Sequence, residues 1–176
     1  MSRELFNAQR VCALLGVGMA DTPLPTSVRL EESVIYIHPL ITDLTALRRS
    51  KAPMLDESWY DEGTGLYIAK PGYWAVINPV PRSDRKAQGE QDLQIAKMAG
   101  YQRTPLLVDS VLLACMMLSG KKFPYGIYVR CPEKGVNPKT PCTGLMVNGD
   151  RFGPCELFHG EARPNVRSSA ARWLCD

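Results

Sequence analysis

TPLLVDSVLLACMMLSG, residues 104–120, decides how the rest of the chain is read. Thr104 offers a helix cap. Pro105 suits a first helical position, where its missing N–H would be unpaired anyway, and Gly120 supplies the stop. Between them only Asp109, Ser110 and Ser119 are polar. A helix that is apolar nearly all round has no face for water, so it is predicted to lie at the centre of a core. No apolar run reaches the roughly 18 residues that a membrane span requires.

Outward from this helix, the preceding RSDRKAQGEQDLQIAKMAGY, residues 82–101, reads as a second helix. Ser83 or Asp84 caps it, Leu93, Ile95, Ala96, Met98 and Ala99 form its apolar side, and Gly100 ends it. On the other flank YGIYVRC, residues 125–131, is a strand with Ile127 and Val129 on one face and Tyr128 and Arg130 on the other. TGLMVNGDRFG, residues 143–153, places Asn148-Gly149, the strongest short hairpin signal, between two apolar runs.

SVIYIHP, residues 33–39, is a β-branched strand closed by Pro39. LITDLTALRRS, residues 40–50, reads as a short helix capped by Thr42. Leu66–Lys70 and Tyr73–Pro79 flank Pro71-Gly72, a pair suited to a type II turn, and are predicted to pair antiparallel. ARPNVRSSAARWLCD, residues 162–176, closes the fold as a last edge strand or a short helix. The fold class that follows is α+β over residues 21–176. A mainly antiparallel sheet of about five strands carries the two adjacent central helices on one face.

Residues 1–20 have two readings. Val11–Ala20 is about as long as a signal-peptide core, with Ala20 before Asp21 as a cleavage site. Leu5, Ala8, Cys12 and Leu15 also recur at helical spacing, with Gly16 and Gly18 to end the helix. Glu4 and Cys12 interrupt the signal pattern, so the helix is preferred. The compartment, cytoplasmic or secreted, stays open with that choice.

The 176 residues are 45% hydrophobic and 22% charged, enough for a core that needs neither metal nor disulfide to fold. Twenty-one basic and 18 acidic residues leave a net charge of +3. The basic groups (Arg48, Arg49 and Lys51; Arg82, Arg85 and Lys86; Lys121 and Lys122) are short and scattered. They read as solvated surface, and nucleic acid is not an expected partner.

Chemistry has few residues to work with. There are six cysteines and two histidines. Cys12 and Cys115 lie in apolar helical contexts and read as packing residues. Cys131, Cys142, Cys155 and Cys175 form two disulfides if the chain is exported and stay reduced in a cytosol. Cys131, Cys142, Cys155 and His159 are also four nominal zinc ligands, but only Cys155 and His159 are close, and structural zinc favours paired close spacings. A thiol hydrolase would use Cys131 or Cys155 with His159. On a regular strand, however, Cys155 and His159 would stand about 13 Å apart. No metal or other cofactor is expected. Asp109, one turn inside the apolar helix, needs a partner if buried, and Arg130 on the next strand is the expected one.

YWAVINPVPRSDR, GYQRTPLLVDSVLLACMMLSGKKF, YVRCPEK and RFGPCEL follow one another in an order that resembles an uncharacterised domain. That domain often forms the C-terminal part of longer proteins in chlamydia-like and other intracellular bacteria. The resemblance covers about Tyr73–Leu174. Arg130 and Cys131 match an Arg-Cys pair of that group, whereas Cys142 and Cys155 do not match its cysteines. The group has no assigned activity, so the resemblance implies no catalytic residue. It implies a host-associated bacterial protein, effector-like in character. With no convincing catalytic set, the sequence is read as a non-enzymatic binding or interaction module with an unidentified protein partner. The alternatives are a cysteine-dependent hydrolase or transferase, and an exported disulfide-bonded envelope protein.

Overall fold

The computed structural model describes residues 5–28, 33–55, 73–79, 86–123, 125–132, 142–157 and 165–174. The apolar run forms helix α4 (Leu106–Leu118), with Leu106, Leu107, Val108, Val111, Ala114 and Cys115 all buried. At 13 residues it is about 20 Å long, against a hydrocarbon core of about 30 Å. Among the described residues no helix is long and apolar enough to cross a membrane. The cap lies one residue later than expected, at Pro105. Thr104 stays outside the helix, and its N–H donates to the Ser169 carbonyl at 3.1 Å. At the far end Gly120 takes φ +85°, which glycine adopts without a Cβ penalty. Gly120 N–H donates to Met117 O, and Lys121 N–H to Met116 O.

Before α4 the chain forms β1 (Leu5–Phe6), α1 (Ala8–Leu15), β2 (Ser33–Ile37), α2 (Leu44–Arg48), β3 (Tyr73–Pro79), α3 (Gln88–Ala96) and β4 (Gln102–Arg103). After it come β5 (Tyr125–Arg130), β6 (Cys142–Asn148), β7 (Arg151–Leu157) and β8 (Val166–Leu174). The α+β class holds, but the sheet is larger than the expected five strands and is mixed. Among the described residues eight strands form the sheet, in the order β1-β2-β3-β8-β5-β6-β7, with β4 also on β8. The β1–β2 and β5–β8 pairings are parallel. α4 packs against β2, β6, β7, α1 and α2, and α3 packs against β4.

The C-terminal segment is the largest correction. Residues 166–174 are neither an edge strand nor a helix. Val166–Ser168 pair in parallel with β5, Ser169–Leu174 pair antiparallel with β3, and Ala170 and Ala171 also face β4. This strand therefore joins the two halves of the sheet. Its small residues suit that crossing, since Ala170 and Ala171 are fully buried. β3 lies between β2 and β8, so both of its edges are filled over Trp74–Ile77. The expected partner strand, Leu66–Lys70, lies outside the described residues.

Smaller differences have local causes. Asp43, not Thr42, caps α2, its Oδ1 accepting from Ala46 N–H at 2.7 Å. Ala87 is the N-cap of α3, which therefore starts after Ser83 and Asp84, and Glu90 reaches back to accept from Ala87 N–H. The buried residues of α3 are Gln91 and Ile95, while Leu93 is 66% exposed. At the N-terminus, Asn7 caps α1, which buries Ala8, Val11, Cys12 and Leu15 at the expected helical spacing. β1 pairs with β2 ahead of it.

Candidate binding site

The β6–β7 hairpin turns through Gly149 and Asp150, with Asn148 opposite Arg151. Gly149 has φ +71°, as a tight two-residue turn of this kind requires. Beside it, residues 53–55 dock along the outer side of β7. Phe152 N–H donates to Pro53 O at 3.1 Å, and Leu55 N–H donates to Phe152 O at 2.7 Å. The approach is close: a Cβ on Gly153 would stand 3.1 Å from Leu55 Cβ. These two segments and the end of α4 line a half-open pocket of about 520 Å³. Met117, Leu118, Phe123 and Pro53 give it apolar walls, and Lys121, Lys122 and Asp150 give it charge. None of these residues stood out in the sequence as a site. The signal was an apolar helix end followed at once by Gly-Lys-Lys-Phe, but the other walls come from segments remote in sequence.

Asp109, Arg130, Cys131 and Cys155, singled out in the sequence, lie elsewhere. Adjacent residues of a strand point to opposite faces, and Ser168 and Ser169 make separate connections accordingly. Ser169 Oγ stands 2.9 and 2.7 Å from the two carboxylate oxygens of Asp109. Ser168 Oγ accepts from Arg103, which also donates to Gln91 Oε1 and is ion-paired with Asp92. Arg130, 2% exposed, donates to the same Gln91 Oε1 at 3.0 Å and to the Lys86 carbonyl at 3.3 Å. Asp109 and Arg130 each make further contacts. Two buried guanidiniums thus meet on one amide oxygen, which joins α3, β4, β5 and β8. A hydrogen bond to a charged donor is stronger than a neutral one, so this cluster ties the elements firmly.

Cys131 is 3% exposed, with its Sγ 3.8 Å from the Val129 carbonyl. Cys155 is half-buried on β7 and packs with Tyr128 against Val166. Cys12 and Cys115 are buried, as their contexts implied, and burial pushes the Cys115 thiol up to about 12, against a smaller opposing pull from Arg10. His159, Cys175 and the side chain of Cys142 lie outside the described residues. Among the described residues no three His, Cys, Asp or Glu side chains gather to hold a metal ion.

His38 is 5% exposed, and its Nδ1 accepts from Leu40 N–H at 3.1 Å. Burial holds its pKa below the usual 6.5, partly offset by a hydrogen bond to the Gly18 backbone. Tyr36 lies edge-on to the His38 ring. This neutral imidazole fastens the segment around Gly18 to the end of β2.

No family model, curated protein or solved structure matches the chain.

Proposed function

We propose that this chain is a non-enzymatic binding module, and that the pocket between the end of α4, residues 53–55 and the β6–β7 turn receives an apolar group of its ligand. The observation that carries this reading is the pocket itself. Its volume of about 520 Å³ falls within the roughly 300–1,000 Å³ of small-molecule sites. It combines apolar walls with a few charged groups, the usual composition of such sites. Helix capping, a tight turn and backbone hydrogen bonds hold its three segments, so the walls are formed before a ligand arrives. The resemblance over Tyr73–Leu174 supports placing the module in a host-associated bacterium, with an effector-like role.

The test is a titration of the protein carrying ¹³C-methyl methionine with 1-octanol. The Met117 methyl resonance is assigned through Met117→Leu. The expected result is a saturable shift of the Met117 resonance. An unmoved Met117 resonance up to the solubility limit of octanol would overturn the reading.

A further inference from the structure

We infer that His38 is an acid-released latch: protonation of its ring frees the strap of residues 18–24 from the end of β2 while the core stays folded. This goes beyond the binding reading and does not depend on it. The strap buries little of its own, since only Ala20 and Thr22 in it are even half-buried. It is seated at its two ends, by Val17 packed on the core and by the buried Pro25. Between those ends two side chains hold it. Tyr36 and His38, two residues apart in an extended chain, both face it. Thr22 Oγ1 donates to the Tyr36 hydroxyl oxygen at 3.2 Å, and the His38 ring is bonded to the Gly18 backbone. A segment with so few buried contacts opens at a smaller free energy than the whole fold.

The ring is placed for a neutral imidazole. Its Nδ1 accepts from Leu40 N–H at 3.1 Å, so Nδ1 carries no proton, and Nε2 is the nitrogen left to donate to Gly18. Protonation sets an N–H on Nδ1 against the Leu40 N–H, donor against donor. It also leaves a charge in a side chain that is buried, with the Tyr36 ring edge-on to it. The acidic side chains of the adjoining segments are Asp21, exposed on the strap, and Asp43, which accepts from Ala46 N–H and Thr42 Oγ1 at the head of α2. Neither is paired with the ring. The charged ring is relieved by moving into water, and the Gly18 bond goes with it. Burial holds the closed ring below 6.5, the value that the freed ring regains. The ratio of open to closed strap therefore rises as pH falls through 6.5, by at most about tenfold per pH unit, until the closed form itself protonates.

The experiment is an NMR titration of the full chain from about pH 7.5 to about pH 5, the range in which histidine changes charge. The ¹⁵N ring signals of His38 are assigned by their loss in His38→Asn. Near the upper limit they are expected to show a bare Nδ1 and a protonated Nε2. As both nitrogens become protonated, the NOEs from the His38 ring to Gly18 and from Thr22 to the Tyr36 ring should fade together. NOEs between α4 and β2 should persist throughout. In His38→Asn the Thr22–Tyr36 NOE should be independent of pH over the same range. A ring that protonates while both strap NOEs persist overturns the latch, and so does a ring that stays neutral to the lower limit. Acid release that His38→Asn leaves unchanged assigns the effect to another group, such as Asp21 or Asp43, and overturns it equally. Fading of the strap NOEs only together with those between α4 and β2 is global unfolding and also overturns it.

Discussion

Arg130 Nη1 donates to Gln91 Oε1 at 3.0 Å, and both side chains are buried, so a strand of one half of the sheet is tied to helix α3. Arg103 shares that oxygen at 3.4 Å. Removing one member of such a cluster leaves desolvated polar groups behind. Arg130→Ala is therefore expected to lose about 3 kcal/mol, read as a lower urea midpoint. Cys131→Ser at the next residue should lose less. An Arg130→Ala midpoint equal to that of the parent would refute the structural role.

Two double-mutant cycles separate the partners of Arg130. Arg130→Met with Gln91→Leu should couple by at least about 1 kcal/mol, since the two side chains are in contact. Arg130→Met with Asp109→Asn tests the direct ion pair expected from the sequence, and the same threshold decides for it. A coupling below about 0.3 kcal/mol would mean that the two residues act independently.

Asp109 on α4 meets a hydroxyl of β8. Ser169→Ala removes the Oγ that lies 2.9 and 2.7 Å from its carboxylate oxygens. A hydrogen bond to a charged group contributes roughly 1.5–3 kcal/mol, and a loss in that range is expected in urea unfolding. A loss under about 0.5 kcal/mol would contradict this role.

His38 gives the fold a pH dependence with a definite sign. Its folded pKa lies below the unfolded 6.5, because burial disfavours the charged ring. Above that value both states are neutral and stability is full. As pH falls through 6.5 the unfolded state protonates first. Stability is then lost, by at most about 1.4 kcal/mol per pH unit, until the folded pKa is passed. His38→Asn should flatten the slope below 6.5 relative to wild type, and an unchanged slope would show that His38 does not cause it.

The thiols should differ in rate. Peptide mapping after brief alkylation near neutral pH is expected to find Cys155 modified ahead of Cys12, Cys115 and Cys131. Those three are buried and react only when the structure opens. Fast labelling of Cys131 would reopen the nucleophile reading.

The parts of this fold that were legible in the sequence are local. α4 announces itself because its apolar run is framed by Pro105 and Gly120. The β6–β7 hairpin does so through Asn148-Gly149 between two apolar runs, although the turn falls one residue later, on Gly149 and Asp150, with Asn148 still in β6. β8 was illegible for a physical reason. VRSSAARWL has no clean alternation, and its place is set by β3, β4 and β5, partners distant in sequence. The same reason hides Gln91, a polar residue buried on α3 while the apolar Leu93 of that helix is exposed. It also hides the pocket: Lys121 and Lys122 are exposed, in line with the sequence reading, and only the fold sets Pro53 and Asp150 beside them.

Intermolecular NOEs from a bound octyl chain test the binding reading most directly. The octanol methyl and chain protons should show NOEs to the Met117 ε-methyl and the Phe123 ring, and these should disappear in a Met117→Glu variant that keeps its melting temperature. Saturable binding whose NOEs fall only on residues away from the end of α4, such as the exposed Met19, would contradict it.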